Sequence, residues 1–467
     1  MKLKGIFLAF VISVIFLALV GCDLRDVRGI EETYINEDGE LIIVYDTGDS
    51  ENLGKVVGED GKDGQNGEDG QDGKDGEDGK DGQDGKDGQD GKDGEDGKDG
   101  EDGKDGASGV GGTASAGSTT TISAAVSKAT RSAVSVVAKY TDRYGSESAS
   151  AGSGVIYKYH KDSDGYFIIT NYHVVYDSDY GISKSISVYL YGNEYAEGAI
   201  DADYVGGSLN YDIAVLYVKN NDIIKSSCAV TVDTAQSNSV SIGDTAIAVG
   251  NARGEGISAT TGIVSVDSET IDMTAADGKT TVSFRVMRTD ASVNRGNSGG
   301  GLYNDKGQLI GIVNAKIIVD GVEGIAYAIP STLALNVADN IIDNCYEKDA
   351  TTVKRALLGI TVSVSESSSV FDRETGKISI REKIYVVQAS STNLFGTQIK
   401  ADDVIKSIKL DRLDGITVTR QFHVIDYLLQ ARLGDTGVLV VERENEYGET
   451  EEIELSFTIT ESCIANY

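Results

Sequence analysis

Between residues 133 and 250 the apolar positions come in short runs set apart by Gly, Asn and Asp: 133–140, 154–159, 166–170, 186–191, 213–218 and 246–249. Closely spaced runs of this kind, rich in Val, Ile and Tyr, predict many short strands that close into a barrel or a sandwich. Over 330–345 the spacing changes. Leu333, Leu335, Val337, Ala338, Ile341 and Ile342 fall on a helical repeat, which predicts a helix ending this unit. A second β-rich stretch runs from about residue 356 onward, with a helix expected over 419–432.

The first 122 residues are patterned differently. Lys2 and Lys4 precede an almost wholly apolar run over 5–20, the arrangement of an export signal and short for a stable membrane span. The run ends in Leu19-Val20-Gly21-Cys22, which resembles the cleavage box of bacterial lipoproteins. That likeness implies removal of 1–21, lipidation of Cys22 and attachment to a membrane. An ordinary signal peptide or an uncleaved anchor is the alternative, and each version exports the remainder.

Residues 22–57 read as an acidic, weakly patterned tether. Over 58–109 glycine then occupies every third position without a break, as a collagen triple helix requires, because only Gly fits at the crowded axis. The segment has no proline and carries Asp at nearly every third triplet position, so three chains side by side repel at low salt. A disordered, extended acidic spacer is the competing reading. Residues 110–122, almost entirely Gly, Ser, Ala and Thr, form a flexible linker. The folded units expected after this non-globular stalk are 123–345 and 350–467.

A chain of 467 residues is too long for one core, which agrees with this division. The formal net charge of −33 repels polyanions and argues against nucleic acid as a partner. With Cys22 lipidated, Cys228, Cys345 and Cys463 remain, an odd number without a close pair. They read as small buried hydrophobes, and no disulfide framework, metal site or cofactor is expected.

Candidate chemistry centres on the histidines, of which there are three. A hydroxyl attacks an amide usefully only when a base takes its proton and donors await the developing oxyanion. His173 follows the expected strand 166–170. His160 sits in a charged surface stretch, and His423 lies far along the chain. Ser298 stands in Gly296-Asn297-Ser298-Gly299-Gly300-Gly301, where glycines let the backbone turn sharply and gather successive amides into one concavity. Asp212 precedes the apolar run Ile213-Ala214-Val215-Leu216. A carboxylate buried there needs a donor, and the ring N–H of His173 is the one expected. The order His, Asp, Ser is that of chymotrypsin-type double barrels.

These stretches, together with Gly152-Ser153-Gly154, Gly250-Asn251, 309–314 and 324–330, resemble the HtrA (DegP-type) serine proteases in the family's own order. The resemblance implies a mostly β protein, with a chymotrypsin-like double β-barrel followed by a smaller PDZ-like β/α domain. It implies His173 as general base, Asp212 as its orienter, Ser298 as nucleophile, and the amides of Gly296, Asn297 and Ser298 as oxyanion hole. Ser292, six residues before the nucleophile, and Asn314 are expected at the specificity pocket. The lack of an acid at 292 points to cleavage after small or medium apolar residues. Ala252 stands where the family usually has proline after Gly250-Asn251, which leaves that loop's stiffness open.

In the last unit Leu357-Leu358-Gly359-Ile360, the run 399–405 and the helix over 419–432 resemble a PDZ domain. That likeness implies capture of peptide C-termini, with Leu358, Gly359 and Ile360 as carboxylate loop. Asp402 replaces the usual glycine before Asp403, and 365–377 resembles an insertion. The resemblance further implies a homotrimer acting outside the cytoplasm on unfolded or exposed protein, in the periplasm or on the cell surface. A peptide-binding protein with an idle catalytic unit, and an adhesin on a collagen-like stalk, are the alternatives.

Overall fold

The computed structural model describes residues 30–36, 40–45, 47–55, 121–141, 144–193, 198–235, 240–314, 324–348 and 350–467. Cys22 and the expected signal peptide, the Gly-X-Y segment and nearly all of the linker lie outside the described residues. The chain divides into two units, Met1–Ala107 and Ser108–Tyr467. No helix among the described residues is long and apolar enough to cross a membrane.

In the first unit, Ile30–Ile35, Glu40–Tyr45 and Ser50–Lys55 pair as a three-stranded antiparallel sheet. The expectation of an acidic, weakly patterned tether over 22–57 is corrected here. Leu41-Ile42-Ile43-Val44-Tyr45 is a strand-forming run centred on three β-branched residues, and it takes the central position with a partner on each side.

After a helix over Ile122–Thr130, the second unit forms two closed six-stranded antiparallel barrels. The first contains β1 (Ala133–Thr141), β2 (Glu147–His160), β3 (Gly165–Thr170), β4 (Ser185–Leu190), β5 (Ile200–Ser208) and β6 (Ile213–Lys219), ordered β5-β6-β3-β2-β1-β4. The second contains β7 (Thr245–Gly250), β8 (Ser258–Thr274), β9 (Thr281–Thr289), β10 (Gly301–Tyr303), β11 (Leu309–Val313) and β12 (Ala326–Pro330), ordered β7-β8-β9-β12-β11-β10.

Each barrel fills its interior from one face of its strands. Ala214, Leu216 and Val218 join Val134, Val136 and Ile168 inside the first barrel. Ala246, Ala248, Leu302 and Ile310 line the second. The opposite faces, with Ile213, Val215, Ile247, Val249 and Ile312, form the core between the barrels. Both faces are buried, which is why these runs are apolar throughout instead of alternating. Full burial of a side chain such as Leu216 stabilises the fold by about 2 kcal/mol.

Helix α1 (Ser331–Cys345) closes this unit and buries Leu333, Val337, Ala338 and Ile341 against the same core, as the helical spacing predicts. Beyond it, β13 (Lys354–Ala356) pairs with β19 (Ile464–Asn466). The strands β14 (Ile360–Phe371), β15 (Ile378–Ala389), β16 (Val404–Leu410), β17 (Thr436–Glu444) and β18 (Thr450–Thr458) form a sheet in chain order with β14 at its edge. The insertion-like 365–377 is the outer half of the β14–β15 hairpin, where Lys377 pairs with Asp244 at 2.6 Å. Helix α2 (Phe422–Leu428) is shorter than the expected 419–432. Fully buried Asn340 of α1 ties this region to the barrels, donating to Lys354 O and Leu429 O, each at 2.7 Å.

Candidate active site

Strand register brings the candidate residues together. Antiparallel pairing sets Ala214 opposite Thr170, so the turn before β6 lies beside the chain leaving β3. That chain makes a single helical turn, Tyr172–Val175, pinned by buried Val174 and Val175, with the His173 side chain left partly exposed. Asp212 ends the β5–β6 turn in the left-handed region, at φ 49°. Asp enters that region more readily than most side chains. Its carbonyl accepts from Asn171 Nδ2 at 2.8 Å and Tyr172 N at 3.2 Å, which fastens the turn to the His173 segment.

Three donors converge on the Asp212 carboxylate: His173 N on Oδ1 at 3.0 Å, and His173 Nδ1 and Asn314 Nδ2 on Oδ2 at 2.7 and 2.8 Å. A carboxylate accepting at Nδ1 leaves the Nε2 lone pair as the free acceptor of the neutral ring. Nε2 lies 2.9 Å from Ser298 Oγ. The Asp212 side chain is only 8% exposed and that of His173 17%, so little water intrudes. This arrangement can strip a proton from a hydroxyl and return it to a leaving group.

The turn carrying Ser298 is clamped between the barrels. Ser153 N donates to Ser298 O and Ser153 Oγ to Gly296 O, both at 2.7 Å, while Asn251 N donates to Ser153 Oγ at 2.7 Å. Arg253 N donates to Arg295 O at 2.8 Å, holding the peptide plane whose other end is the N–H of Gly296. Despite Ala252, the loop is thus anchored, with Gly256 N also bonded to Asn251 Oδ1 at 2.8 Å. Gly296 has φ 98°, and a Cβ there would stand 2.2 Å from Asn251 O. Only glycine suits that place.

Four expectations need correction. The Asn297 amide donates to Asn294 O at 3.0 Å, closing a turn, so it is not an oxyanion donor. The amides of Gly296 and Ser298 have no acceptor among the described residues. Asn314 is 1% exposed and turned onto Asp212, so its side chain does not line a specificity pocket. Ser292 is exposed, with its carbonyl held by Thr260 Oγ1 at 2.7 Å, and does not form the floor of an enclosed pocket. Among the cysteines, Cys345 and Cys463 are buried as expected, but Cys228 is exposed.

At the candidate carboxylate loop, Gly359 has φ 75° and Leu358 is buried. The carbonyls of Leu358 and Gly359 accept from Leu394 N and Ser390 N, and their amides have no acceptor among the described residues. Ile360 begins edge strand β14. Asp402 has φ 69°, the conformation that makes glycine usual there.

Residues 152–312 match the trypsin-like peptidase domain family, and 56–117 match the collagen triple helix repeat. The chain is 32% identical over 321 residues to Serine protease Do-like HtrA of Lactococcus lactis subsp. cremoris (strain MG1363), a match covering 62% of this chain and 72% of the relative. The chain belongs to the HtrA family of serine proteases. Serine protease Do-like HtrA of Bacillus subtilis (strain 168) is likewise 32% identical, over 62% of this chain and 60% of its own length, so the HtrA-type chain spans less than two thirds of that relative. A solved structure, HtrA-type protease AlgW with tripeptide, aligns over 73% of this chain and 97% of its own at 23% identity, with a TM-score of 0.46. For an HtrA protein, the collagen repeat lies ahead of the peptidase match.

Proposed function

We propose that this HtrA-family chain is an extracytoplasmic serine endopeptidase that cleaves unfolded or exposed polypeptide through His173, Asp212 and Ser298. The observation that carries the reading is the continuous chain Asp212 Oδ2, His173 Nδ1, His173 Nε2, Ser298 Oγ, with links of 2.7 and 2.9 Å. His173 Nε2 takes the hydroxyl proton as Ser298 Oγ bonds to the scissile carbonyl carbon. The carbonyl π electrons move to oxygen, which the amides of Gly296 and Ser298 then receive. The proton passes to the departing amine as the C–N bond breaks, leaving an acyl-enzyme. Water, deprotonated by His173, releases the acid. Cleavage follows small or medium apolar residues, as the family resemblance implies.

The edge strand β14 beside Leu358, Gly359 and Ile360 supports a PDZ-like role, in which a peptide C-terminus adds as a strand and its carboxylate meets the free amides. The lipoprotein-like Cys22 supports attachment at the cell surface or in the periplasm. The Gly-X-Y segment supports a homotrimer, since collagen is three-stranded. Hydrolysis of casein by the full chain tests the reading. The parent protein should digest it and Ser298→Ala should not. Equal digestion by both would remove Ser298 from the mechanism.

A further inference from the structure

The turn that presents Asp212 has a second support, reached from the far end of the chain. Tyr211, next to Asp212, is 6% exposed, and its hydroxyl accepts from Arg355 Nη1 at 2.9 Å. The Arg355 guanidinium lies over the ring of Tyr467, 3.8 Å from its centroid, and Arg355 Nη2 donates to the Tyr467 hydroxyl. Tyr467 is held in turn by two backbone bonds with Val353, Tyr467 N to Val353 O at 2.8 Å and Val353 N to Tyr467 O at 3.2 Å. The same segment grips β5 directly, because Gly207 N donates to Thr351 O at 3.1 Å. One planar cation thus joins the β13–β19 pair to the β5–β6 turn.

We infer that Arg355, held by Tyr467 and acting through the Tyr211 hydroxyl, is a positioning residue for the catalytic turn, fixing the backbone from which the Asp212 carboxylate meets His173. The inference rests on the triad reading proposed above. Asp212 stands in the left-handed region, which non-glycine residues occupy uncommonly even though Asp enters it more readily than most. Its own polar bonds reach forward to the His173 segment and to Asn314. The Tyr211 anchor is the bond that pulls on the turn from behind. Guanidinium geometry suits the task, since one group donates to two hydroxyls in fixed directions while stacking on a ring. Strands β13 and β19 flank the candidate peptide-binding unit, so displacing them would reach Asp212 through this brace.

Tyr211→Phe removes one hydroxyl, and Arg355→Met removes the cation while keeping an apolar stem. The full chain and its variants are compared on a chromogenic peptide, with melting temperatures recorded. Each single variant is expected to lose about three- to tenfold in kcat, with KM within about twofold. The double variant should fall no further than the worse single, because both remove one link. If Arg355→Met does not fold, Arg355→Lys and Tyr211→Phe carry the comparison. A readout independent of turnover separates the brace from the protease reading: the low-field proton resonance of the His173–Asp212 hydrogen bond should weaken or broaden in both variants. An unchanged resonance in both, or unchanged kcat beside a lowered melting temperature, would overturn the brace. A parent protein that shows the resonance but never turns over would count against the protease reading alone.

Discussion

Asn314 and Asp212 are joined by a side-chain hydrogen bond of 2.8 Å, made to the same Oδ2 atom that receives the imidazole N–H of His173. The carboxylate proposed to orient the general base is therefore itself oriented, from the end of a strand in the opposite barrel.

Removing that donor should be felt in turnover more than in binding. Asn314→Ala leaves Asp212 Oδ2 with one donor fewer, a hydrogen bond to a charged group of about 1.5 kcal/mol. About a tenfold fall in kcat on a peptide substrate is expected, with KM nearly unchanged. A change confined to KM would place Asn314 at the substrate instead.

Gly296→Ala introduces a Cβ 2.2 Å from Asn251 O at a residue with φ 98°. The peptide plane must shift, taking the Gly296 N–H out of line. Loss of one oxyanion donor costs about 10²- to 10³-fold in kcat. Steady-state kinetics and far-ultraviolet circular dichroism together would show a folded, nearly inactive protein.

Ser153 has its hydroxyl between Asn251 N and Gly296 O and is fully buried. Ser153→Ala strands both groups, each costing about 1–3 kcal/mol. The variant should melt at lower temperature and also lose activity, because the oxyanion turn loses its clamp. Full activity in a destabilised variant would limit Ser153 to packing.

Buried Asp426 beside Arg285 gives a dependence on pH. Burial outweighs the guanidinium charge and pushes the Asp426 carboxyl up to about 6. In the unfolded chain such a group titrates at about 3.9. Between these values the folded chain binds the proton more tightly, so this group's contribution to stability grows as pH falls through the window and is lost as pH rises through 6. Melting of the parent relative to Asp426→Asn should therefore improve from pH 7 to pH 5. A constant or reversed difference would contradict the shift.

The proposed triad was legible because its parts are rare or flagged: three histidines in the whole chain, a glycine-walled serine, and an acid set against an apolar strand. The barrels were legible for a related reason, since strands buried on both faces announce themselves as unbroken apolar runs. Directions were not. The position of Asn314 after β11 was plain, but which way its amide points depends on Asp212 across the barrel interface. The Asn297 amide was lost to a turn whose closure depends on backbone dihedrals that composition does not reveal. Strands at 30–55 are hard to read in the sequence because acidic flanks mask β-branched Ile42-Ile43-Val44. The link from Arg355 to Tyr211 spans 144 positions and follows no local period. The Gly152-Ser153-Gly154 stretch marks Ser153 in the sequence, but its bridging role needs both barrels in place.

The central claim is that Ser298 is made nucleophilic by His173. Incubation of the full chain with a fluorophosphonate probe, followed by mass spectrometry of its peptides, tests this directly. The account predicts one adduct on Ser298 in the parent and none in His173→Ala. An unmodified Ser298, or equal labelling without the histidine, would contradict it.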